Sequence, residues 1–269
     1  MESQKSKIIE VRNLYKNFSV KNQDVAAVNG VNLSIYRGEC YGLVGESGCG
    51  KSTLSSMICA LQTPDSGQIL FNQKPLFTDD GSKSKKIALS SRELKEFRRH
   101  CQIIFQDPFS SLNPKMKIKS IIGEPLKIHK IAKSREERER LVNEIRTLIA
   151  LPPDTLEKYP DELSGGQRQR VAIASAMILN PEFVICDESV SALDVLIQAQ
   201  ILNLLKKLQK SLNLTYLFIS HNLNVVAYMA DRIGVMYKGK IIEEKPTDEL
   251  LKNPAHPYTK ELLHAAGIL

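Results

Sequence analysis

The 269-residue chain has no tryptophan and few aromatic residues, and it has no long apolar run. Its longest such stretch, around residues 171–179, is far shorter than the roughly 20 residues that a membrane-spanning helix needs. The first seven residues are polar and charged, without the apolar centre of a secretion signal. We therefore expect neither a channel nor a secreted protein, and any membrane work would fall to partners.

Cysteine is also sparse, with five residues at positions 40, 49, 59, 101 and 186. None has C-x-x-C spacing, and the five histidines do not cluster with them. The pattern predicts reduced thiols, as in the cytosol, and no structural metal. With 42% hydrophobic residues and no internal repeat, the chain predicts one α/β domain with an inserted subdomain.

A glycine-rich stretch satisfies the pattern G-x-x-x-x-G-K-[S/T] and lies between an apolar run, Cys40 to Val44, and a helix-like run, Lys51 to Ala60. This strand-loop-helix setting predicts a phosphate loop, whose backbone amides and helix N-terminus bind phosphate oxygens. Lys51 would reach the β- and γ-phosphates, and the Ser52 hydroxyl would bind Mg²⁺. The predicted nucleotide-binding residues are Gly45, Glu46, Ser47, Gly48, Cys49, Gly50, Lys51, Ser52 and Thr53.

A second apolar run, Phe183 to Cys186, reads as a strand buried on both faces and ends in two acids. Ligand sites in parallel sheets lie at the carboxyl ends of strands. Asp187 is therefore predicted to bind Mg²⁺, and Glu188 to act as general base on the attacking water. Such acids can also cap a turn, and it is the phosphate loop upstream that favours the catalytic interpretation.

A third stretch, Leu163 to Gln167, precedes a run of good helix formers, Arg168 to Leu179. Ser164 and Gln167 have the S-x-x-Q spacing of a helix capping box, so this helix N-terminus is a candidate anion site.

In the order and wording of these motifs, nearly the whole chain resembles the ATP-binding subunits of ABC transporters. The resemblance implies that Ser164, Gly165, Gly166 and Gln167 contact ATP bound by the opposite subunit of a pair, as does Asp194 in the D-loop Ser191-Ala192-Leu193-Asp194. It further implies that Gln106 is the Q-loop residue and a Mg²⁺ ligand, and that His221 is the switch histidine. Phe18 would stack on adenine, with Tyr15 as the rival. ATP and Mg²⁺ are the implied cofactors.

Within that family, several segments resemble the ATPase subunits of dipeptide, oligopeptide and nickel importers, including Gln106 to Pro114 and Asn253 to Thr259. The resemblance implies two permease subunits, a second and different ATPase, an indirect solute-binding protein, and a peripheral place on the cytoplasmic face of the membrane. Peptide and nickel both remain open as cargo. Ser189 and Ser175 depart from the branch, where proline and arginine are common. The cysteine-bearing extension of many oligopeptide members is lacking, so no iron–sulfur site is expected.

The resemblance implies a P-loop core sheet with an antiparallel β subdomain and an inserted helical subdomain at about 107–165. A C-terminal helical tail is expected at about 246–269. Hydrophobic periodicity predicts strands at 8–14, 25–35, 69–71 and 215–219, a loop at 78–86, a hairpin at 232–244, and helices at 133–150 and 194–212.

The net charge is +7, yet residues 83–140 alone hold sixteen lysine and arginine residues against seven acids, a local charge of +9. No RNA-binding signature or helix-turn-helix pattern accompanies them, so no nucleic-acid partner is expected. The segment reads as a solvated face, or as one that meets an anionic leaflet or acidic permease loops. The alternative of another class is an ABC ATPase without a transporter; such proteins usually carry two cassettes or long coiled-coil insertions.

Overall fold

The computed structural model describes residues 6–20, 23–79, 86–87, 89–107 and 111–268, in two compact units. The first unit comprises residues 1–94 and 214–269, and the second comprises residues 95–213. The strands are β1 Lys7–Val20, β2 Gln23–Tyr36, β3 Cys40–Val44, β4 Ser66–Phe71, β5 Lys74–Thr78, β6 Lys86–Ile87, β7 Cys101–Ile104, β8 Phe183–Asp187, β9 Thr215–Ile219, β10 Arg232–Tyr237 and β11 Lys240–Pro246.

The α-helices of the described residues are α1 Lys51–Ile58, α2 Ser91–His100, α3 Ile118–Ile128, α4 Arg135–Leu148, α5 Gly165–Met177, α6 Val195–Leu212, α7 Leu223–Met229, α8 Thr247–Lys252 and α9 Pro257–Ala265. Two 3₁₀ turns, Pro153–Glu157 and Pro160–Glu162, precede α5. No helix among the described residues is long and apolar enough to cross a membrane.

The first unit contains an antiparallel sheet in the order β2-β1-β4-β5-β6. The carboxyl-terminal part of β1 is held by Asp65. The Asp65 carboxylate accepts a hydrogen bond from the Asn17 backbone amide at 2.7 Å and one from the Lys16 ammonium at 3.0 Å. These bonds fix the end of β1, the part of the strand that carries Phe18.

The same unit contains a parallel group in which β3 lies between β10 and β9, with β11 antiparallel on β10. Every residue of β3 and β9 is buried, as expected for parallel strands covered on both faces. A polar cluster connects β3 and β10: the Tyr41 hydroxyl donates to Glu244 at 2.7 Å, and the half-buried Arg232 guanidinium pairs with Glu39 at 3.2 Å and with Glu244.

In the second unit, β7 and β8 are parallel, with Ile104 opposite Cys186, and the remaining described elements are helical. The Arg168 guanidinium donates to the Pro160 carbonyl at 2.6 Å, and Arg170 donates to Ile149 at 2.8 Å. These bonds connect α5 to the segments that precede it. The first bond also gives the buried Arg168 guanidinium a partner, which burial of a charged group requires.

Most predicted elements are present, with different ends. The strand at 215–219 matches β9, and the predicted hairpin is β10 with β11. The prediction of a loop from 78 to 86 was wrong at its ends, since Thr78 and Lys86 pair with each other in β5 and β6. Residues 80–85 of that loop lie outside the described residues. Strand β5 was missed because Lys74-Pro75 reads as a turn, whereas Leu76 and Phe77 supply the apolar contacts.

A buried carboxylate joins the hairpin to the C-terminal helix. Glu243 on β11 accepts the backbone amides of Ala255 and His256 at 2.7 and 3.0 Å, and Lys245 lies 3.2 Å away. Burial alone would raise the pKa of Glu243, but Thr259, the two amides and Lys245 outweigh it and bring the pKa to about 2. The ionised carboxylate therefore holds the turn before α9 in place.

We expect Glu243→Gln to lower the free energy of unfolding by about 2 kcal/mol near neutral pH, because hydrogen bonds to a charged acceptor are lost. Folding lowers this pKa from 4.5 to about 2, so the contribution is complete above the unfolded value and is lost as the pH falls toward 2. Chemical denaturation at several pH values measures the difference, with Glu261→Gln, an exposed residue of α9, as control. A constant difference between pH 7 and pH 2.5 would contradict the assignment.

Candidate functional site

The predicted phosphate loop leaves the carboxyl end of β3 and enters α1. Gly50 has a φ of 111°, and a Cβ there would lie 2.0 Å from the Ala27 carbonyl oxygen, so only glycine fits. No side chain caps α1. The helix thus lacks the acceptor that usually fills its N-terminus, and this end suits an anion.

Lys51, the first residue of α1, is only 4% exposed. Its ammonium group donates to the Gly45 carbonyl at 2.7 Å and to the Glu46 carbonyl at 2.8 Å. A buried ammonium needs such partners, and phosphate oxygens can replace carbonyl oxygens in this role. The loop with its buried lysine therefore fits a nucleotide phosphate.

His221 follows the buried strand β9 and shares a cavity with the start of the phosphate loop. The cavity measures about 330 Å³ and is lined by Val44, Gly45, His221, Asn222, Leu223, Asn224, Leu262, Ala265 and Ala266. The parallel strands β3 and β9 end at the same edge, which explains why Gly45 and His221, 176 positions apart in the chain, meet here. Within the first unit, the structure thus brings His221 to the phosphate loop.

The two aromatic candidates for adenine differ in their surroundings. Phe18 lies within β1, 37% exposed, with the Lys16 ammonium 5.6 Å from its ring centroid. The Tyr15 ring instead lies under Gly30, where an added Cβ would lie 2.9 Å from the tyrosine oxygen. Tyr15 also lines a separate polar cavity that includes Asn29 and Lys240. Tyr15 is as exposed as Phe18, at 39%, so exposure does not separate the two candidates. The packing of the Tyr15 ring against Gly30 is what favours Phe18 as the stacking surface.

In the second unit, Asp187 is the last residue of the fully buried strand β8, and Glu188 follows it with a left-handed φ of 48°. Ser191 fixes this turn, because its amide and hydroxyl both donate to the Glu188 carbonyl, at 3.1 and 2.9 Å. Gln106 is exposed and lies two residues beyond the end of β7, which runs parallel to β8. The amide and both acids therefore leave the sheet at one edge.

Burial raises the pKa of the neighbouring Cys186 thiol to about 12, with Asp187 adding to the effect and Ser189 opposing it. This thiol is buried and protonated, and it is not a candidate nucleophile. Ser189, which departs from the branch pattern, is 1% exposed, and Ser175 is half-buried on α5.

The predicted capping box at the start of α5 is present. The Gln167 amide donates to the Ser164 hydroxyl at 3.3 Å, and the Ser164 amide donates to the Gln167 side chain at 3.0 Å. Gly166 is needed for packing, since a Cβ there would lie 2.6 Å from Ile197 on α6. Asp194 caps α6 through the Ile197 amide, at 3.0 Å.

The stretch Ser164 to Gln167 therefore lies beside the predicted D-loop in the second unit. A Cβ added at Gly165 would lie 3.6 Å from the Leu193 side chain, which belongs to that loop. Ser134 and Glu137 have the related S-x-x-E spacing at the start of α4, but they complete only half of a capping box. The Ser134 hydroxyl accepts the Glu137 amide, whereas the Glu137 carboxylate accepts the amide of Lys133 rather than that of Ser134.

The predicted site residues are thus divided between the units. The first unit holds the phosphate loop, Phe18 and His221, and the second holds Gln106, Asp187, Glu188, Asp194 and the stretch that starts at Ser164. Residues 108–110 of the segment Gln106 to Pro114 lie outside the described residues. Sequence reasoning missed Tyr258, whose hydroxyl accepts the Glu46 amide at 3.0 Å; only its place in the first turn of the C-terminal helix pointed to a structural role.

Comparison with known proteins assigns the chain to a family. The family described as ABC transporter matches residues 28–191, which include the phosphate loop, the stretch Ser164 to Gln167 and both acids. The chain belongs to the ABC transporter family. The expectation drawn from the motifs is therefore confirmed.

Two relatives and one solved structure show how far the similarity extends. The chain is 50% identical to the oligopeptide transport ATP-binding protein OppF of Bacillus subtilis, over 96% of this chain and 82% of that protein. It is 45% identical to the dipeptide transport ATP-binding protein DppF of Lactococcus lactis, over 96% and 80%. The dimeric ATP-binding cassette MJ0796, in a post-hydrolysis state bound to ADP and Pi, is 30% identical, with a TM-score of 0.76 over 89% of this chain and 98% of that one.

These similarities confirm the expected fold class, an α/β ABC ATPase with an additional antiparallel sheet. The chain is an ATPase that uses ATP and Mg²⁺. The glycine cradle, the buried Lys51 and the uncapped N-terminus of α1 fit such a substrate.

Proposed function

We propose that this ATPase powers the import of dipeptides or oligopeptides through a membrane ABC transporter. The observation that carries the proposal is the 50% identity with an oligopeptide transport ATP-binding protein over nearly the whole chain. The relatives' names favour peptide over nickel as the cargo. The ATPase subunit does not itself hold that cargo, so its identity depends on the partners.

The chain's own residues bind the nucleotide through the phosphate loop. The open first turn of α1 and the Lys51 ammonium receive the β- and γ-phosphates, while Phe18 offers its exposed ring to the adenine. Ser52, Asp187 and Gln106 are the residues assigned to Mg²⁺, an ion that neutralises charge on the transferring phosphoryl group. Gly50, which has no side chain, lets the loop backbone come close to the phosphates.

Hydrolysis is assigned to Glu188, which orients a water molecule and takes its proton. The left-handed turn and the two bonds from Ser191 hold its backbone in one conformation. His221 is assigned to sense the γ-phosphate, and it shares a cavity with the loop start at Gly45.

A second cassette is the partner that completes the cycle. Val195 and Leu196 begin α6 with 83% and 70% of their surface exposed, directly after the predicted D-loop residue Asp194. Exposed apolar residues beside a helix N-terminus suit burial against another subunit. We assign Ser164, Gly165, Gly166 and Gln167 to the nucleotide of that partner, which the branch resemblance favours as a different ATPase.

A cavity of about 440 Å³ in the second unit is the proposed contact for a permease. Its lining includes Lys119, Lys127, Arg135, Arg138 and Glu157. Lys119 pairs with Glu157 and Arg135 pairs with Glu139, whereas in the part of the chain that the structure describes Lys127 and Arg138 have no ion pair. Two cations without an ion pair in the lining of this cavity suit an acidic permease segment.

The remaining partners follow from the transporter assignment. The proposal includes two permease subunits and, indirectly, a solute-binding protein on the other side of the membrane. It places the chain peripherally on the cytoplasmic face of that membrane. Genes for these proteins next to the gene for this chain would support the whole assembly.

Glu188→Gln should abolish transport by removing the base while Lys51, Ser52 and Asp187 remain. We expect ATP binding to persist and turnover to fall by about 10²- to 10⁴-fold. The measurement is ATP hydrolysis and uptake of a labelled peptide in vesicles that contain the assembled transporter, with Ni²⁺ uptake measured in parallel. Glu144→Gln, an exposed change on α4, is the control. Parental turnover in Glu188→Gln would remove Glu188 from the site, and uptake of Ni²⁺ without peptide would overturn the cargo assignment.

Two serines allow the effect of helix capping on stability to be separated from association with the partner cassette. Ser164 and Ser134 each accept an amide three residues on, so replacing either with alanine should lower stability by about 1 kcal/mol. Only Ser164→Ala should also weaken ATP-dependent association with the partner cassette, because the Ser134 helix end is not assigned to nucleotide. Sedimentation with and without ATP measures this. Equal association of the two variants would leave Ser164 with a capping role alone.

Arg138→Glu should disrupt the permease contact. A carboxylate facing an acidic segment would replace attraction with repulsion, and we expect co-purification with the permeases to fall roughly tenfold. Arg140→Glu makes the same charge change on α4 outside the cavity and should keep the complex intact. Vesicles of anionic lipid without permeases serve as the second arm. Loss of vesicle binding together with normal co-purification would assign the groove to lipid instead.

A further inference from the structure

The C-terminal helix touches the phosphate loop directly. Tyr258, in the first turn of α9, is 7% exposed, and its hydroxyl oxygen accepts the Glu46 backbone amide at 3.0 Å. Its ring packs against Tyr237 with centroids 4.3 Å apart. A side chain 212 residues away along the chain therefore holds the start of the loop.

The Glu46 amide and the Gly45 carbonyl belong to one peptide plane. Lys51 donates to that carbonyl at 2.7 Å, while the amide donates to Tyr258. Because the N–H and C=O of a trans peptide point in opposite directions, Lys51 and Tyr258 hold this plane from two sides. If the Lys51 ammonium turns to phosphate, the bond to Tyr258 still orients the plane.

The turn that carries Tyr258 is itself fixed. The His256 Nδ1 atom accepts the Tyr258 amide at 3.1 Å, and the ionised Glu243 accepts the amides of Ala255 and His256. These bonds satisfy donors at the start of α9 and connect it to strand β11. The position of the Tyr258 hydroxyl is thus set by the fold of the first unit.

The other end of α9 is anchored beside His221. The Asn224 side-chain amide on α7 donates to the Ala266 carbonyl at 3.1 Å, and Leu262 and Ala265 line the cavity that His221 shares with Gly45. One helix therefore contacts both segments assigned to the phosphates.

We propose that Tyr258 is a positioning residue for nucleotide binding, acting through the Glu46 amide to hold the phosphate loop in its binding shape. Helix α9 holds the Tyr258 side chain against the phosphate loop. This inference rests on the proposed assignment of the phosphate loop, and it adds a residue that touches neither ATP nor Mg²⁺.

The test is Tyr258→Phe, which keeps the ring against Tyr237 and removes the acceptor. Loss of one neutral hydrogen bond corresponds to a change of roughly 3- to 10-fold. We expect the KM for ATP in the assembled transporter, and the Kd for a fluorescent ATP analogue on the isolated chain, to rise by about that factor, with kcat changed less than about twofold. Hydrogen exchange of the Glu46 amide should become faster. Tyr228→Phe, an exposed tyrosine on α7, is the matched control.

A second variant tests whether the turn before α9 transmits this positioning. Glu243→Gln loosens the turn before α9 without altering Tyr258, so it should raise the KM in the same direction. If Tyr258→Phe keeps the parental KM, Kd and Glu46 exchange, the inference is overturned. Lys51→Ala tests the phosphate-loop assignment separately from the role of Tyr258. If Lys51→Ala binds ATP like the parent, the phosphate-loop assignment itself fails. If Lys51→Ala loses ATP binding while Tyr258→Phe behaves like the parent, only the role of Tyr258 is removed.

Discussion

The backbone pairing of strand β3 is the constraint on which the first unit depends. Each buried amide and carbonyl of β3 needs a partner, and parallel strands β10 and β9 supply these partners on both sides. Since β3 and β9 run in the same direction, their polar continuations emerge at one edge. The phosphate loop and His221 meet there for this reason. In the second unit, β7 and β8 obey the same rule and place Gln106 with Asp187 at one edge.

Two helix N-termini in this protein are prepared differently for negative charge. At α1 there is no side-chain cap, so a phosphate can complete the helix. At α5 the Ser164 hydroxyl and the Gln167 side chain already complete part of the end. The difference suits their assigned roles: α1 carries its own nucleotide, while α5 must keep its shape until a partner cassette brings one.

Three buried or half-buried cations each have partners close by. Lys51 has two loop carbonyls, Arg168 has the Pro160 carbonyl, and Arg232 lies between Glu39 and Glu244. Burial raises the pKa of Glu39, although Arg232 and the Tyr36 amide oppose the shift. Glu243 shows the opposite balance, because its donors outweigh its burial. Such pairs fix geometry more than they add stability, since desolvation offsets much of their attraction.

The sequence by itself determined the family, the phosphate loop, the two acids after β8 and the Ser164 capping box. Each of these depends on residues close together in the chain, where spacing alone dictates turn, cap or strand. The tertiary structure decided what depends on distant partners. It paired β5 with β6, directed the Glu137 carboxylate to the Lys133 amide, and packed the Tyr15 ring against Gly30. It also joined Tyr258 to Glu46, because only the folded order of β11, α9 and the loop brings those atoms within hydrogen-bonding distance.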